Sequence, residues 1–193
     1  MGLLRTFIAV DIPSHLQQLI QQRIEPLHKS LGVSLVRWVA PQNIHLTLKF
    51  LGDVAPVNIQ MLSQMLGAEA DMVHAFDIQI NGLGCFPSRK RPRVLFVGIQ
   101  APAELEALYR GIESACARLG YESEQRDFSP HLTVGRVRQD IPTAGQQKLR
   151  SALEAFVIDS PGTARVDSLH LYKSDLKPSG SVYTKLFSAP LKS

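Results

Sequence analysis

The sequence predicts an α+β protein built as two pseudo-symmetric lobes of antiparallel or mixed sheet, with flanking helices around a central cleft. Three observations predict it. The order strand, helix, strand, helix, strand occurs twice along the chain. Pro13, Leu16 and Leu19 recur as Pro102, Leu105 and Leu108 at a constant offset of eighty-nine residues. The tripeptide His-Leu-Thr occurs at 45–47 and again at 131–133, eighty-six residues on, and a short indel accounts for the difference. Ordinary residue frequencies give such a second copy by chance in roughly a few per cent of chains of this size. A period this long, present twice, is not a solenoid. Two lobes facing across a pseudo-two-fold axis are simpler, making residues 1–193 one domain with repeated halves at 5–80 and 93–172.

The elements follow from periodicity. RTFIAVDI (5–12) alternates as a strand. Pro13 opens a helix whose apolar positions Leu16, Ile20, Ile24, Leu27 and Leu31 recur every three or four residues; Gly32 stops it, and Pro26 inside it is a candidate kink. A short strand around Val36 and Trp38 precedes NIHLTLKFLG, a strand ending at Gly52. A helix carrying Ile59, Leu62 and Leu66 leads to the alternating AFDIQI (75–80). The second half gives RVLFVGI (93–99), a helix from Pro102 to Gly120, the strand FSPHLTVGRV, a helix with Leu149, Leu153 and Phe156, and the strand ARVDSLHLY.

Composition narrows the class without naming a function. A chain of 193 residues, 45 % hydrophobic, fills one domain and has no disordered or low-complexity tract. The net charge of +4 tolerates an anionic partner without requiring one. Cys85 and Cys116 form no metal-ligand spacing, which fits reduced thiols in the cytoplasm. No apolar run is long enough to span a bilayer. The opening MGLLRT fits a loose acylation pattern, but buried-strand residues follow it and no polybasic second anchor does.

On a strand, alternate side chains share a face, so His45, Thr47 and Lys49 are expected on one face and Leu46 and Leu48 on the other; the second copy sets His131 and Thr133 against Leu132 and Val134. Burying the polar faces would strand histidine and threonine groups at ~1–3 kcal/mol each if unpaired, so an open cleft is favoured. Two imidazoles titrating near neutrality can divide a reaction, one removing a proton and the other supplying one. The threonine hydroxyls can donate to the oxygens of a five-coordinate phosphorus. His45, Thr47, His131 and Thr133 therefore form a candidate metal-free phosphodiesterase site. Two histidines without Cys, Asp or Glu at ligand spacing leave a metal's coordination mostly unfilled. No nucleophile-elbow sequence supports a Ser-His-Asp triad.

With HLTL and HLTV as a pair of H-x-[ST]-x motifs, the chain resembles the RNA 2′,3′-cyclic phosphodiesterases of the two-histidine (2H) phosphoesterase superfamily, whose bacterial and archaeal members are also called 2′-5′ RNA ligases. The flanks RTFIAVDIP, WVAPQNIHLTLKFLG, FPSRKRPRVLFVG, RDFSPHLTVGR and LYKSDLKPSGSVYT extend the resemblance over almost the full length. It implies a bilobal fold, no cofactor and no metal, and hydrolysis of a terminal 2′,3′-cyclic phosphate to a 2′-phosphate, with reversible 2′-5′ ligation by the same machinery. His45 would be the proton donor to the departing 3′ oxygen and His131 the acceptor activating water. It further implies RNA ends, tRNA fragments among them, as the partner of a cytoplasmic monomer without membrane attachment.

Arg136, implied by the resemblance as a phosphate or base contact, needs a bulge at Gly135 to face the histidines. Arg126 is a weaker candidate for the same task. Arg5 and Phe7 share a strand face, where Phe7 could stack on a nucleobase and Arg5 attract phosphate, although a core phenylalanine is as good a reading. The SRKRPR cluster (88–93) is either an RNA-steering or a merely solvated loop. Tyr172 and Tyr183 could line the cleft near the C terminus, but half-buried tyrosines are common in any sheet and the two are left out of the site. A non-catalytic module binding RNA ends, or a phosphodiesterase acting on 2′-5′ oligoadenylate or a cyclic ADP-ribose phosphate, would use the same residues.

Overall fold

A computed structural model describes residues 2–178 and 180–193. The strands are β1 (Leu4–Asp11), β2 (Val36–Trp38), β3 (His45–Val54), β4 (Phe76–Phe86), β5 (Val94–Gln100), β6 (His131–Val137), β7 (Gly162–Val166), β8 (Ser168–Lys177) and β9 (Gly180–Pro190); the helices are α1 (Ser14–Leu35), α2 (Ile59–Ala70), α3 (Ala103–Arg118) and α4 (Thr143–Ala155). Among the described residues the strands form one nine-stranded sheet in the order β7-β4-β5-β6-β3-β1-β8-β9, with β2 added to β6. Every pairing between these strands is antiparallel.

The two halves of the sequence are interleaved in space. β4, from the first half, pairs with β5 and β7, and β8, from the second, pairs with β1. The helices follow: α2 and α3 pack together on the β3, β8 and β9 side, while α1 packs with α4 near β2. Between the lobes, β3 and β6 meet through the single pair Leu46–Leu132, after which the strands diverge. Two antiparallel lobes thus join at the points where the His-Leu-Thr copies lie.

Helix α1 buries Leu16, Ile20, Ile24, Leu27 and Leu31, the stripe its spacing predicts. Its non-helical backbone falls at Gly32 (φ 66°), whose missing Cβ permits a positive φ, and not at Pro26. Four further differences from the sequence reading stand out. The last expected strand is two, β7 and β8, separated at Asp167, and β9 was not anticipated because polar Ser181, Thr184 and Lys185 dilute its alternation. β6 starts at His131, since Pro130 cannot donate to a sheet ladder, and α4 ends before Phe156. No helix among the described residues is long and apolar enough to cross a membrane.

Candidate active site

His45 and His131 open their strands, and each is held in the same way. A type 3-10 turn at Pro41–Asn43 brings the Asn43 carbonyl back to His45 Nδ1 at 2.7 Å, and the Ser129 carbonyl meets His131 Nδ1 at 2.7 Å. A carbonyl only accepts, so in each ring Nδ1 carries a proton, and Nε2 is the nitrogen left to accept or give up a proton in the cleft. The turn before His45 is itself pinned: Asn43 Nδ2 donates to the Ser181 carbonyl at 2.9 Å and Gln17 Nε2 to the Ile44 carbonyl at 2.9 Å. Aromatic rings fix the remaining freedom. Phe7 stacks on His45 at 4.9 Å with Tyr183 edge-on at 5.2 Å; Phe86 and Phe96 flank His131 at 4.9 and 5.1 Å.

Leu46, Leu48, Leu132 and Val134 are buried, whereas His45, Thr47, His131 and Thr133 are half-buried on the opposite face. The register set by Leu46–Leu132 puts His45 across from Thr133 and Thr47 across from His131. Each copy therefore presents its imidazole and its threonine on one face, antiparallel to the other copy. Burial holds both imidazoles below their ordinary pKa. The carbonyl bonds oppose this, while the Arg136 charge adds to the depression of both rings. Asp11, across from His45 on β1, favours the protonated form of His45, and no carboxylate does so for His131.

A bulge follows each motif. Ala9 and Ile8 pair with Thr47 and Lys49, leaving Leu48 as the extra residue; Phe96 and Leu95 pair with Thr133 and Gly135, leaving Val134. The bulge in β6 is the one Arg136 required, and it turns that exposed guanidinium to the histidine face. The bulge in β3 corrects the expectation for Lys49, which turns into the core. There its ammonium meets both Glu113 oxygens and the Glu122 carbonyl, each at 2.8 Å. Phe50 takes the outward place instead, 65 % exposed and across from Phe7.

The structure places the other candidates as follows. Phe7 is 3 % exposed, sandwiched between His45 and Tyr172, so it braces the imidazole from beneath and presents no free face. Arg5 is exposed at the outer end of the same β1 face, across from Asp53. Arg126 is taken up by Glu124 in a hydrogen-bonded ion pair at 2.7 Å. Tyr172 and Tyr183, read from sequence as ordinary sheet residues, line a cavity of about 520 Å³ beside His45 together with Phe7, Asp11, Asn43 and Ser181. Asp11 accepts hydrogen bonds there from Tyr172 and from Lys185, the latter at 2.8 Å, with His170 Nε2 3.4 Å away. The sequence offered the tyrosines only as possible cleft residues and gave no signal for Phe50, because the bulge and the β8–β9 hairpin that place them leave no periodicity. Among the described residues, no group of three or more His, Cys, Asp or Glu is placed to hold a metal ion.

Residues 13–178 match the family model of the 2′-5′ RNA ligase superfamily. The chain belongs to that superfamily. It is 32 % identical over 182 residues to the RNA 2′,3′-cyclic phosphodiesterase of Methanothermobacter thermautotrophicus, covering 94 % of this chain and 96 % of that one. To the protein of the same name from Archaeoglobus fulgidus it is 33 % identical, covering 95 % and 98 %. Among solved structures it is similar to E. coli LigT complexed with 3′-AMP, with 29 % identity, TM-score 0.76 and 99 % of both chains covered. Within this superfamily of two-histidine phosphoesterases, the duplicated motif of the present chain is the pair His45-Leu46-Thr47 and His131-Leu132-Thr133.

Proposed function

We propose that the protein hydrolyses 2′,3′-cyclic phosphate ends of RNA to 2′-phosphomonoesters by metal-independent acid–base catalysis. The observation that carries this reading is the matched pair of imidazoles, each with Nδ1–H tied to a backbone carbonyl and each followed two residues on by a half-buried threonine on the same strand face. Family membership and relatives named for this activity support it.

The cyclic phosphate lies between the imidazoles, with its ribose and base on the aromatic wall beside His45 and the exposed Phe50 ring available for stacking. His131 Nε2 takes a proton from water as the water oxygen bonds to phosphorus. Thr47 and Thr133 donate to the non-bridging oxygens, where charge accumulates. The bond from phosphorus to the 3′ oxygen breaks, that oxygen takes the Nε2 proton of His45, and a 2′-phosphate and a 3′-hydroxyl result. The Asp11 carboxylate bears on His45, where it partly offsets the depression by burial, Arg136 and His131. If a 5′-hydroxyl replaces water, the same steps give a 2′-5′ linkage.

The test is product analysis on a short RNA ending in a cyclic phosphate, with a chelator present. Formation of the 2′-phosphate, abolished by His45→Ala and by His131→Ala, is expected. Binding without turnover, a 3′-phosphate product, or turnover only with added metal would overturn the proposal.

A further inference from the structure

The cavity beside His45 has its amide donors spent before any ligand enters. Asn43 Nδ2 donates to the Ser181 carbonyl and Gln17 Nε2 to the Ile44 carbonyl, each at 2.9 Å, and both residues line the cavity. A carbonyl only accepts, so each amide turns its NH2 group to the backbone, which leaves Asn43 Oδ1 and Gln17 Oε1 as acceptors. Neither oxygen accepts a hydrogen bond among the described residues. The buried side-chain atoms without a partner are Thr6 Oγ1 and Gln21 Oε1, so the Asn43 and Gln17 oxygens are open to solvent.

A third acceptor joins them. Asp11 lines the same cavity and lies across from His45 on β1. The Tyr172 hydroxyl donates to Asp11 Oδ1 and the Lys185 ammonium to Oδ2, the latter at 2.8 Å, which orients the carboxylate and leaves each oxygen a further lone pair. Burial opposes its ionisation, but those two hydrogen bonds and the neighbouring His170 and Lys185 charges outweigh it, so the carboxyl stays below its ordinary pKa. The hydroxyl hydrogen of Tyr172 is thereby spent as well. The hydroxyls of Ser14, Ser181 and Tyr183 rotate to suit whatever they meet, and the Gln42 side chain is exposed. The polar groups that the fold holds in one orientation, between aromatic and aliphatic walls, are thus three acceptors.

We propose that Asp11, Asn43 and Gln17 read the terminal nucleobase, selecting bases that carry an exocyclic amino group over uracil. This rests on the RNA-end reading of the site, which puts the last nucleoside in this cavity. Guanine, adenine and cytosine each bring an amino group whose two N–H bonds suit such acceptors. Uracil offers a single N–H between two carbonyl oxygens, so oxygen faces oxygen, and an acceptor of the site loses its water without gaining a donor. A site built to pair with a ligand's polar group rejects the analogue lacking it more strongly than an apolar pocket rejects a change of shape.

The experiment measures kcat/KM for the 2′,3′-cyclic phosphates of adenosine, guanosine, cytidine, uridine and purine riboside, the last being adenosine without its amino group. Equilibrium binding of the corresponding 2′-monophosphates is measured on the same samples. With the wild-type enzyme, adenosine is expected to exceed purine riboside, and cytidine to exceed uridine, by about tenfold in both readouts, the value of one hydrogen bond to a charged or desolvated acceptor. Asp11→Asn puts an amide that can donate in place of the carboxylate and should bring both ratios below roughly threefold; Gln17→Met, which removes one acceptor, should also lower them. Each ratio compares two substrates on one protein, so a general loss of activity or stability cancels, and the wild-type ratios need no variant. Equal values for adenosine and purine riboside, or ratios left intact by either variant, would overturn the proposal while turnover left the catalytic reading standing. Amino-dependent binding without turnover would uphold the base site and remove the catalytic reading.

Discussion

Replacing Glu113 by Gln tests the placement of Lys49 in the core and not in the cleft. The side chains of Lys49 and Glu113 are 4 % and 14 % exposed, and the ammonium's three donors are all used, two on the carboxylate and one on the Glu122 carbonyl. Removing one partner of such a pair leaves a desolvated charge and costs about 3–5 kcal/mol. That is a large part of the about 5–15 kcal/mol by which a domain is stable. For a chain of this size it corresponds to a melting temperature roughly 6–20 °C lower. Lys49→Met should cost a similar amount, whereas Lys49→Met combined with Glu113→Gln should cost less than the sum of the single changes, since neither charge is then orphaned. Urea unfolding of the four proteins closes the cycle, and kcat/KM on a nucleoside 2′,3′-cyclic phosphate is measured for each. Lys49→Met should keep wild-type kcat/KM under conditions where it is folded. A single change costing below about 1 kcal/mol would refute the buried-pair reasoning. So would a stable Lys49→Met protein that had lost turnover, which would return Lys49 to the cleft.

Three other outcomes are expected. The pH profile of kcat/KM should be bell-shaped with its optimum on the acid side of the ordinary histidine range, because burial depresses both imidazoles; Arg136→Ala removes a positive charge that disfavours protonation of both, so both limbs should move to higher pH. Phe50→Ala should raise KM by about 1–3 kcal/mol of lost stacking, read as a roughly 5- to 150-fold increase with little change in kcat. Gly135→Ala would set a methyl group 2.7 Å from Val36 Cγ1, and about 1–3 kcal/mol of destabilisation in a urea titration is expected as β2 is pushed from β6.

The elements legible in the sequence are those whose burial is one-sided. Leu16 to Leu31 mark α1, and alternation around Leu46 and Leu132 marks the strands that carry the histidines, because in each case a single face meets the core. The same rule misplaced Lys49, since a bulge adds one residue without changing any residue type and reverses every side chain beyond it. It also hid Phe50, which in a strict alternation would have pointed inward. Arg136 was legible only through a condition on Gly135, and Gly135 shows why a glycine stands there: a side chain would strike Val36 and Trp38. The interleaving of the halves left no local trace, because a strand's choice of neighbour is made by distant residues. Tyr172 and Tyr183 come to His45 from the far end of the chain through the β8–β9 hairpin, and no local pattern separates that place from an ordinary half-buried sheet position.

The two bulges also explain how a duplicated frame can serve a substrate that is not symmetric. Up to the second threonine position, the copies are chemically alike: a carbonyl-held imidazole, a buried aliphatic residue, a hydroxyl. Beyond the bulge they part, with Phe50 on one wall and Arg136 beside Arg37 on the other. A nucleotide has the same polarity, an apolar planar base at one end and anionic oxygens at the other. An equivalent pair of imidazoles would accept such a substrate in either orientation with similar rates. On the proposed mechanism, an aromatic wall against a guanidinium wall binds one orientation better than the other, and that bias selects which histidine meets the 3′ oxygen. The assignment of His45 as acid then depends less on its own proton affinity than on residues five positions downstream of each motif. Exchanging Phe50 and Arg136 in one protein should lower hydrolysis of the natural end far more than either single change to alanine, and a double exchange with wild-type kcat/KM would show that orientation is set elsewhere.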